Sequence, residues 1–389
     1  MYRFAKRFDG VGGSEIRKIF GLLAVPDMIS FAGGNPSPEL FPEETLAEIS
    51  EEIIAENGKS VLQYGGTLGV PAFIDLLKYR NEDMMKETDE IVILSGSSQG
   101  IDFFAHTMIE QGDVVLAESP SFLGALQTFR LADADVKTVS MEADGLCVAE
   151  LEEKIKQYNP KFLYTIPTFQ NPSGITMSGQ KRQKVYEICE KYGVLILEDD
   201  PYAELRYSGQ PLESIKSYDQ SGIVCKLASF SKTISPGLRV GYAIAHKDII
   251  AKFNLLKQGA DVHTSNLTQT MVMEFIKRGY YDSHVKMLCA EYKKQRDAML
   301  DAIGKYFPPS AVCTHPDGGL FVWVTLPEKV NAREVFDACV GQKVAFVVGP
   351  PFFAEGGHEN TLRMNFSMPA IPDIEKGVEK MGKIITEFV

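Results

Sequence analysis

The sequence predicts an α/β protein, with a large domain built on a mostly parallel sheet between helices and a smaller α+β domain. Three observations predict it. Between about residues 90 and 250, short apolar runs alternate with amphipathic stretches, the rhythm of buried strands joined by crossover helices. Beyond about residue 285 the texture changes, and two strand-like runs lie among helical stretches. The 389 residues also exceed the size at which a single core usually stops growing. The expected division is an N-terminal arm at 1–44 that joins the small domain, a large domain at 45–285 and a small domain at 286–389.

In chain order, the Gly/Pro-rich stretch FAGGNPSPELFP at 31–42 cannot hold regular structure for long. A helical pattern comes next at 43–57, opened by Pro42, Glu43 and Glu44, which suit a helix N-terminus. The candidate strands of the large domain are IVIL at 91–94, DVVLA at 113–117, FLYTI at 162–166, VLIL at 194–197, IVCKLA at 223–228 and RVGYAIA at 239–245. Helical segments at 99–110 and 178–192 lie between them. A long helix at 284–305 leads into strands at 321–326 and 362–367 and helices at 332–340 and 372–387. No internal repeat or low-complexity linker interrupts the pattern.

Composition narrows the function classes. An apolar fraction of 44% and a charged fraction of 24% are those of a globular protein and exclude disorder. The net charge of −12 opposes nucleic acid as a partner, since phosphate backbones select basic surfaces. Cys147, Cys189, Cys225, Cys289, Cys313 and Cys339 are scattered without metal-ligand spacing, so no metal is expected and the thiols read as reduced. The opening MYRFAKRFDG lacks the apolar core of a signal peptide. No stretch approaches the ~20 apolar residues that span a bilayer. A cytoplasmic protein without a membrane partner is expected.

In open α/β sheets, ligands bind beyond the carboxyl ends of the strands, so the residues just after each apolar run carry the information. Ser95-Gly96-Ser97-Ser98-Gln99-Gly100 comes after the first run and opens a helix, whose free N–H groups can hold an anion. A Ser-capped helix without a ligand has the same signature. Asn171-Pro172-Ser173-Gly174 comes after the third run and is first of all a turn. Glu198-Asp199-Asp200-Pro201-Tyr202 comes after the fourth, where adjacent carboxylates either cap a turn or meet a cation. Ser229-Phe230-Ser231-Lys232 comes after the fifth and sets a lysine among small hydroxyl residues. Such a lysine is either an exposed loop residue or one with a lowered pKa suited to Schiff-base chemistry. One cofactor asks for an anion cradle, an acid for a ring nitrogen, donors to a phenolic oxygen and an imine-forming lysine. All four kinds of residue occur at successive sheet ends.

On these motifs the chain resembles the fold type I pyridoxal 5'-phosphate (PLP) enzymes of the class I/II aminotransferases, particularly the α-aminoadipate/kynurenine type. The resemblance runs over nearly the whole length. It is carried by SEIRKIF, FAGGNPSPELFP, LQYGGTLGVPAF, ILSGSSQGID, NPSG, LEDDPYAEL, SFSKTISPGLRVGY and FFAEGGHENTLRMNFS. It implies PLP as cofactor, amino acid and 2-oxo acid substrates, and a ping-pong transfer of the amino group with 2-oxoglutarate as the expected acceptor.

The resemblance also implies roles. Lys232 resembles the Schiff-base lysine that moves the substrate proton, and Asp199 the acid facing the pyridine nitrogen. Tyr202 and Asn171 resemble the donors to the phenolic oxygen. Ser97, Ser98, Ser229, Ser231 and Arg239 resemble the phosphate cradle, and Phe122 the aromatic ring stacked on the pyridine. Tyr64, in LQYGG, resembles the tyrosine that reaches the phosphate of a neighbouring subunit, which implies a homodimer with shared active sites. Arg363 resembles the arginine that forks onto the substrate α-carboxylate, with Asn171 and the Gly34 backbone N–H beside it. Arg17, in SEIRKIF, resembles an N-terminal arginine that some relatives use for acidic side chains. Three positions depart from the pattern: Ser98 stands where Gln is common, Phe122 where Tyr is common, and Asp200 offers a second acid beside Asp199.

Two other functions share part of this pattern. A different PLP reaction on the same fold, such as β-elimination, decarboxylation or racemisation, would use the same cofactor residues. A non-enzymatic regulator with an aminotransferase-like domain would add a basic DNA-binding domain of roughly a hundred residues, which the expected domain layout and the acidic balance do not accommodate.

Overall fold

The computed structural model describes residues 2–8 and 26–389. A two-residue strand, β1 (Ile29–Ser30), opens the second stretch. Eight strands then build the large sheet: β2 (Asp89–Leu94), β3 (Val114–Ser119), β4 (Asp135–Glu142), β5 (Gly145–Leu146), β6 (Phe162–Thr165), β7 (Leu195–Asp200), β8 (Val224–Ser229) and β9 (Gly241–His246). Their order is β2-β9-β8-β7-β6-β3-β4-β5. The run from β8 to β4 is parallel, whereas β9 is antiparallel to both its neighbours and β5 folds back on β4. The expected α/β class with a mostly parallel sheet is therefore the observed one.

Helices cover the sheet and fix the ends of its strands. Helix Ser97–Met108 lies close against the sheet because residue 100 is glycine: a Cβ there would come within 2.5 Å of the Leu227 side chain. Phe162 on β6 takes Phe104 of this helix and Phe129 edge-on, at centroid distances of 5.0 and 5.4 Å. Such pairs contribute about 1 kcal/mol each beyond the area they bury. The N-terminal end of the helix is thereby held in register with the strand ends.

The C-terminal region carries β10 (Val312–Cys313), β11 (Phe321–Thr325), β12 (Val344–Ala345), β13 (Val347–Val348) and β14 (Thr361–Asn365). Four of these form an antiparallel sheet, β10-β11-β14-β13, while β12 pairs in parallel with β1. Helix Tyr280–Tyr306 leads into this region and packs along helix Ile371–Phe388. One apolar cluster runs through both sheets, from Val92, Phe104 and Phe162 to Trp323, Phe336 and Val378.

Differences from the expected elements have local causes. The helix expected at 43–57 runs on to Val61, across a non-helical residue at Asn57. The long helix begins at Tyr280 rather than 284. Strand β4 has no apolar run, because it lies near the sheet edge and several of its residues are solvent-facing. No helix among the described residues is long and apolar enough to cross a membrane.

Candidate active site

Five segments leave the same edge of the large sheet. Ser97 comes after β2, Phe122 after β3, Asn171 after β6, Tyr202 after β7 and Lys232 after β8, while Arg239 precedes the antiparallel β9. The chain reverses its direction of sheet growth between β3 and β6, and such a switch point opens a crevice at the carboxyl ends. A cavity of about 320 Å³ lies there, lined by all six of these residues with Ser98, Asp199, Ser229, Ser231, Gly34 and Arg363.

Lys232 Nζ donates to the Gly34 carbonyl at 2.8 Å. Burial, reinforced by the cationic Arg363 and Arg239, brings its ammonium down to about 8, so half of it is a free amine at that pH. Asp199, 3% exposed, accepts a hydrogen bond from Tyr164 Oη on one oxygen at 2.9 Å. Its other oxygen, Oδ1, is buried and has no partner among the described residues. Burial raises the carboxyl to about 7, against the Tyr164 bond and with help from Asp200. Tyr202 is buried nearby, and Asn171 is its hydrogen-bond partner.

Asp200 behaves differently. Successive residues of a strand face opposite sides, so Asp200 looks away from Lys232 and pairs with Lys226 Nζ at 2.9 Å. Burial works against the Lys226 ammonium, yet Asp200 and Glu198 hold it above its ordinary value. Asp200 lines a separate, more polar cleft on that side.

Ser97 and Ser98 are the first two residues of helix Ser97–Met108, where backbone N–H groups have no partner inside the helix. Gly96 caps it with φ of 86°, and a Cβ there would meet Arg239 Nη2 at 2.2 Å. The guanidinium can lie over this turn only because residue 96 is glycine. Arg239, itself at φ of 54°, donates through Nη2 to Ser95 O at 2.9 Å. Ser229 Oγ accepts from Ser231 N–H at 3.1 Å and tightens the turn before Lys232.

Arg363 sits on β14, opposite Trp323 of β11, and is 1% exposed. It donates to Asn171 Oδ1 at 2.8 Å and to Ala32 O at 2.9 Å, and it stacks over Phe321 at 4.3 Å. Its Nε is buried without a partner among the described residues, and burial lowers the guanidinium to about 10. Its two hydrogen-bond partners are neutral, so its charge is available to a ligand.

One expected residue lies elsewhere. Tyr64 is 81% exposed, outside the cavity of its own chain, with His263 edge-on to its ring at 6.0 Å. Arg17 lies outside the described residues. Tyr164 is a site residue that the motifs do not mark, although it sits in the FLYTI run. Its signal is a polar atom in a strand otherwise buried on both faces, a place where a hydroxyl needs a partner.

Among the described residues that line this cavity, three are cations, Lys232, Arg239 and Arg363, and one is a carboxylate, Asp199. That balance suits a ligand with an anionic group and a further carboxylate. The partnerless oxygen of Asp199 suits a protonated ring nitrogen, and the lowered Lys232 suits an aldehyde. PLP with an amino acid has this set of groups, and the residues present fit it.

Known proteins resemble this chain along its length. The family profile "Aminotransferase class I and II" matches residues 26–380. Aromatic-amino-acid aminotransferase 1 of Thermococcus litoralis is 37% identical, over 99% of this chain and 94% of its own. The 2-aminoadipate transaminase of Thermus thermophilus is 37% identical, over 98% and 96%. Kynurenine aminotransferase of Pyrococcus horikoshii, solved in complex with PMP, superposes with a TM-score of 0.95 at 35% identity, covering 99% of this chain and 97% of that one.

Proposed function

We propose how this chain, which belongs to the aminotransferase class I and II family, carries out its reaction. It is a PLP-dependent transaminase that moves amino groups between amino acids and 2-oxo acids. The observation that carries the assignment of roles is that Lys232 and Asp199, whose Oδ1 has no partner among the described residues, line one cavity.

Bound there, PLP supplies an aldehyde carbon for covalent attachment and a ring that accepts electrons when a Cα–H bond breaks. Lys232 is the point of attachment. With the cofactor bound, the Lys232 Nζ would take the proton from the substrate Cα, a task for which a value near 8 suits it. Asp199 holds the proton on the ring nitrogen, and Tyr202 and Asn171 hold the phenolic oxygen. Phe122 provides the stacking face. Ser97, Ser98, Ser229, Ser231 and Arg239 bind the phosphate, with Arg239 adding a fixed cation. Arg363 binds the substrate α-carboxylate with the Gly34 backbone beside it; its bonds to Asn171 and Ala32 pre-set the fork.

A homodimer is part of this reading, in which Tyr64, exposed in its own chain, serves a partner's phosphate. The large domain at 45–285 carries the cofactor in this reading, and the arm and residues 286–389 bring Gly34 and Arg363. Six free thiols fit a reducing compartment, in line with a cytoplasmic location. The names of the relatives favour an aromatic or acidic donor, and Arg17 is the residue to examine for the latter.

Purified protein with PLP, 2-oxoglutarate and a panel of amino acids is expected to form glutamate without releasing ammonia or carbon dioxide. Lys232→Ala should abolish that activity, and a fully active variant would overturn the assignment.

A further inference from the structure

A polar cluster beneath the Ser95–Ser98 loop ties that motif to residues outside the expected motifs. Lys257, on helix Lys247–Ala260, is wholly buried. Its ammonium donates to Gln99 Oε1 at 2.8 Å, Thr264 Oγ1 at 3.0 Å and Asp261 Oδ2 at 3.0 Å. All three of its donors are therefore engaged. Asp261 Oδ2 also accepts from Ser95 Oγ at 2.7 Å and Gln99 Nε2 at 2.9 Å. Gln99 Oε1 accepts from Ser95 N–H at 2.9 Å, and Ser95 O accepts from Arg239 Nη2 at 2.9 Å.

The bonds converge on Ser95. Its N–H, hydroxyl and carbonyl are each held, and its neighbour Gly96 makes the turn that opens the helix. A buried ammonium is costly unless fully paired, and an apolar side chain would fill the same space without that cost. The charge sits directly behind the cradle, yet Lys257 does not line the cavity.

We propose that Lys257 is a positioning residue for the phosphate of the cofactor. Acting through Gln99, Asp261 and Ser95, it sets the loop N–H groups and the Arg239 guanidinium in the arrangement that receives the anion. The proposal rests on the reading of the cavity as a PLP site and involves neither Lys232 nor Asp199.

A merely structural role and a phosphate-directed role differ toward pyridoxal, which keeps the aldehyde and ring but lacks the phosphate. Apoprotein of the wild type, Lys257→Met and Ser95→Ala is titrated with PLP and with pyridoxal, reading Kd from the absorbance of the bound ligand. For PLP, Kd should rise roughly tenfold or more in Lys257→Met and about threefold in Ser95→Ala, while Kd for pyridoxal stays within about twofold. Equal weakening toward both ligands, or an unchanged Kd for PLP, overturns the proposal. Ser95→Ala leaves Lys257 and Asp261 paired, so it decides the matter should Lys257→Met not fold. A wild type that binds PLP and pyridoxal alike would instead show that the cradle itself is misassigned, and the proposal would fall with it.

Discussion

Tyr164 donates its hydroxyl to one oxygen of Asp199 at 2.9 Å, and the other oxygen of that carboxylate has no partner among the described residues. The asymmetry gives Asp199 a direction. One oxygen is anchored in the sheet, and the other is uncommitted.

Removing that anchor should change the acidity of the site. The Tyr164 bond lowers the Asp199 pKa, while burial raises it, so Tyr164→Phe raises it further. Asp199 acts as a carboxylate, present above its pKa and lost as pH falls through it. The acid limb of the kcat profile should therefore move to higher pH, with kcat at neutral pH reduced about tenfold and KM little changed. A profile that superposes on the wild type would remove Tyr164 from the site.

The two adjacent acids should separate cleanly. Asp199→Ala is expected to lower kcat by a hundredfold or more, on the order of 3 kcal/mol of transition-state stabilisation. Asp200→Ala should keep kcat within a few-fold but leave Lys226 buried and unpaired, at a cost of about 3 kcal/mol in stability. Turnover and chemical denaturation of the two variants check both halves. The opposite pattern would transfer the ring contact to Asp200.

Cofactor capture by the apoprotein should depend on the Lys232 amine. Only its neutral form attacks an aldehyde, and that fraction grows as pH rises through about 8. The rate of PLP incorporation should rise with a midpoint near 8. In Arg363→Gln, which removes the stronger of the two cationic influences on Lys232, the midpoint should lie higher. Stopped-flow absorbance across a pH series measures both.

Tyr64 should act across subunits. Tyr64→Ala is expected to weaken PLP binding although the residue lies outside the cavity of its own chain. Mixing it with Lys232→Ala protein, itself expected to be inactive, should form hybrid dimers in which one site has Lys232 from the first chain and Tyr64 from the second. Activity should return in that mixture at low PLP. If it does not, Tyr64 has no role in a shared site.

Much of this arrangement is legible in the sequence because it lies at the ends of apolar runs. Lys232, Asn171 and Ser97 come after strands of residues that could only be buried, Asp199 closes another such apolar run, and the sheet brings those ends together. The choice between Asp199 and Asp200 rests on the two-residue period of β7. The parts that are not legible depend on distant partners. Tyr164 reads as one more apolar position of a strand, and its hydroxyl gains meaning only beside β7. Lys257 reads as a solvated helix lysine until Gln99 and Asp261 are seen around it. Strand β4 lacks an apolar run because an edge-ward strand needs to bury only part of itself.

The bond from Lys232 to the Gly34 carbonyl joins residues 198 apart in sequence. Gly34 lies in the stretch that leaves β1, and Phe31 in that stretch is bonded to both Ala345 and Asn365 of the C-terminal region. A free ammonium has three hydrogens to give, but a nitrogen joined to a carbonyl carbon keeps at most one. Covalent loading of the lysine would leave at most one hydrogen for the Gly34 carbonyl, so the strength of this long-range link would report on attachment at Lys232.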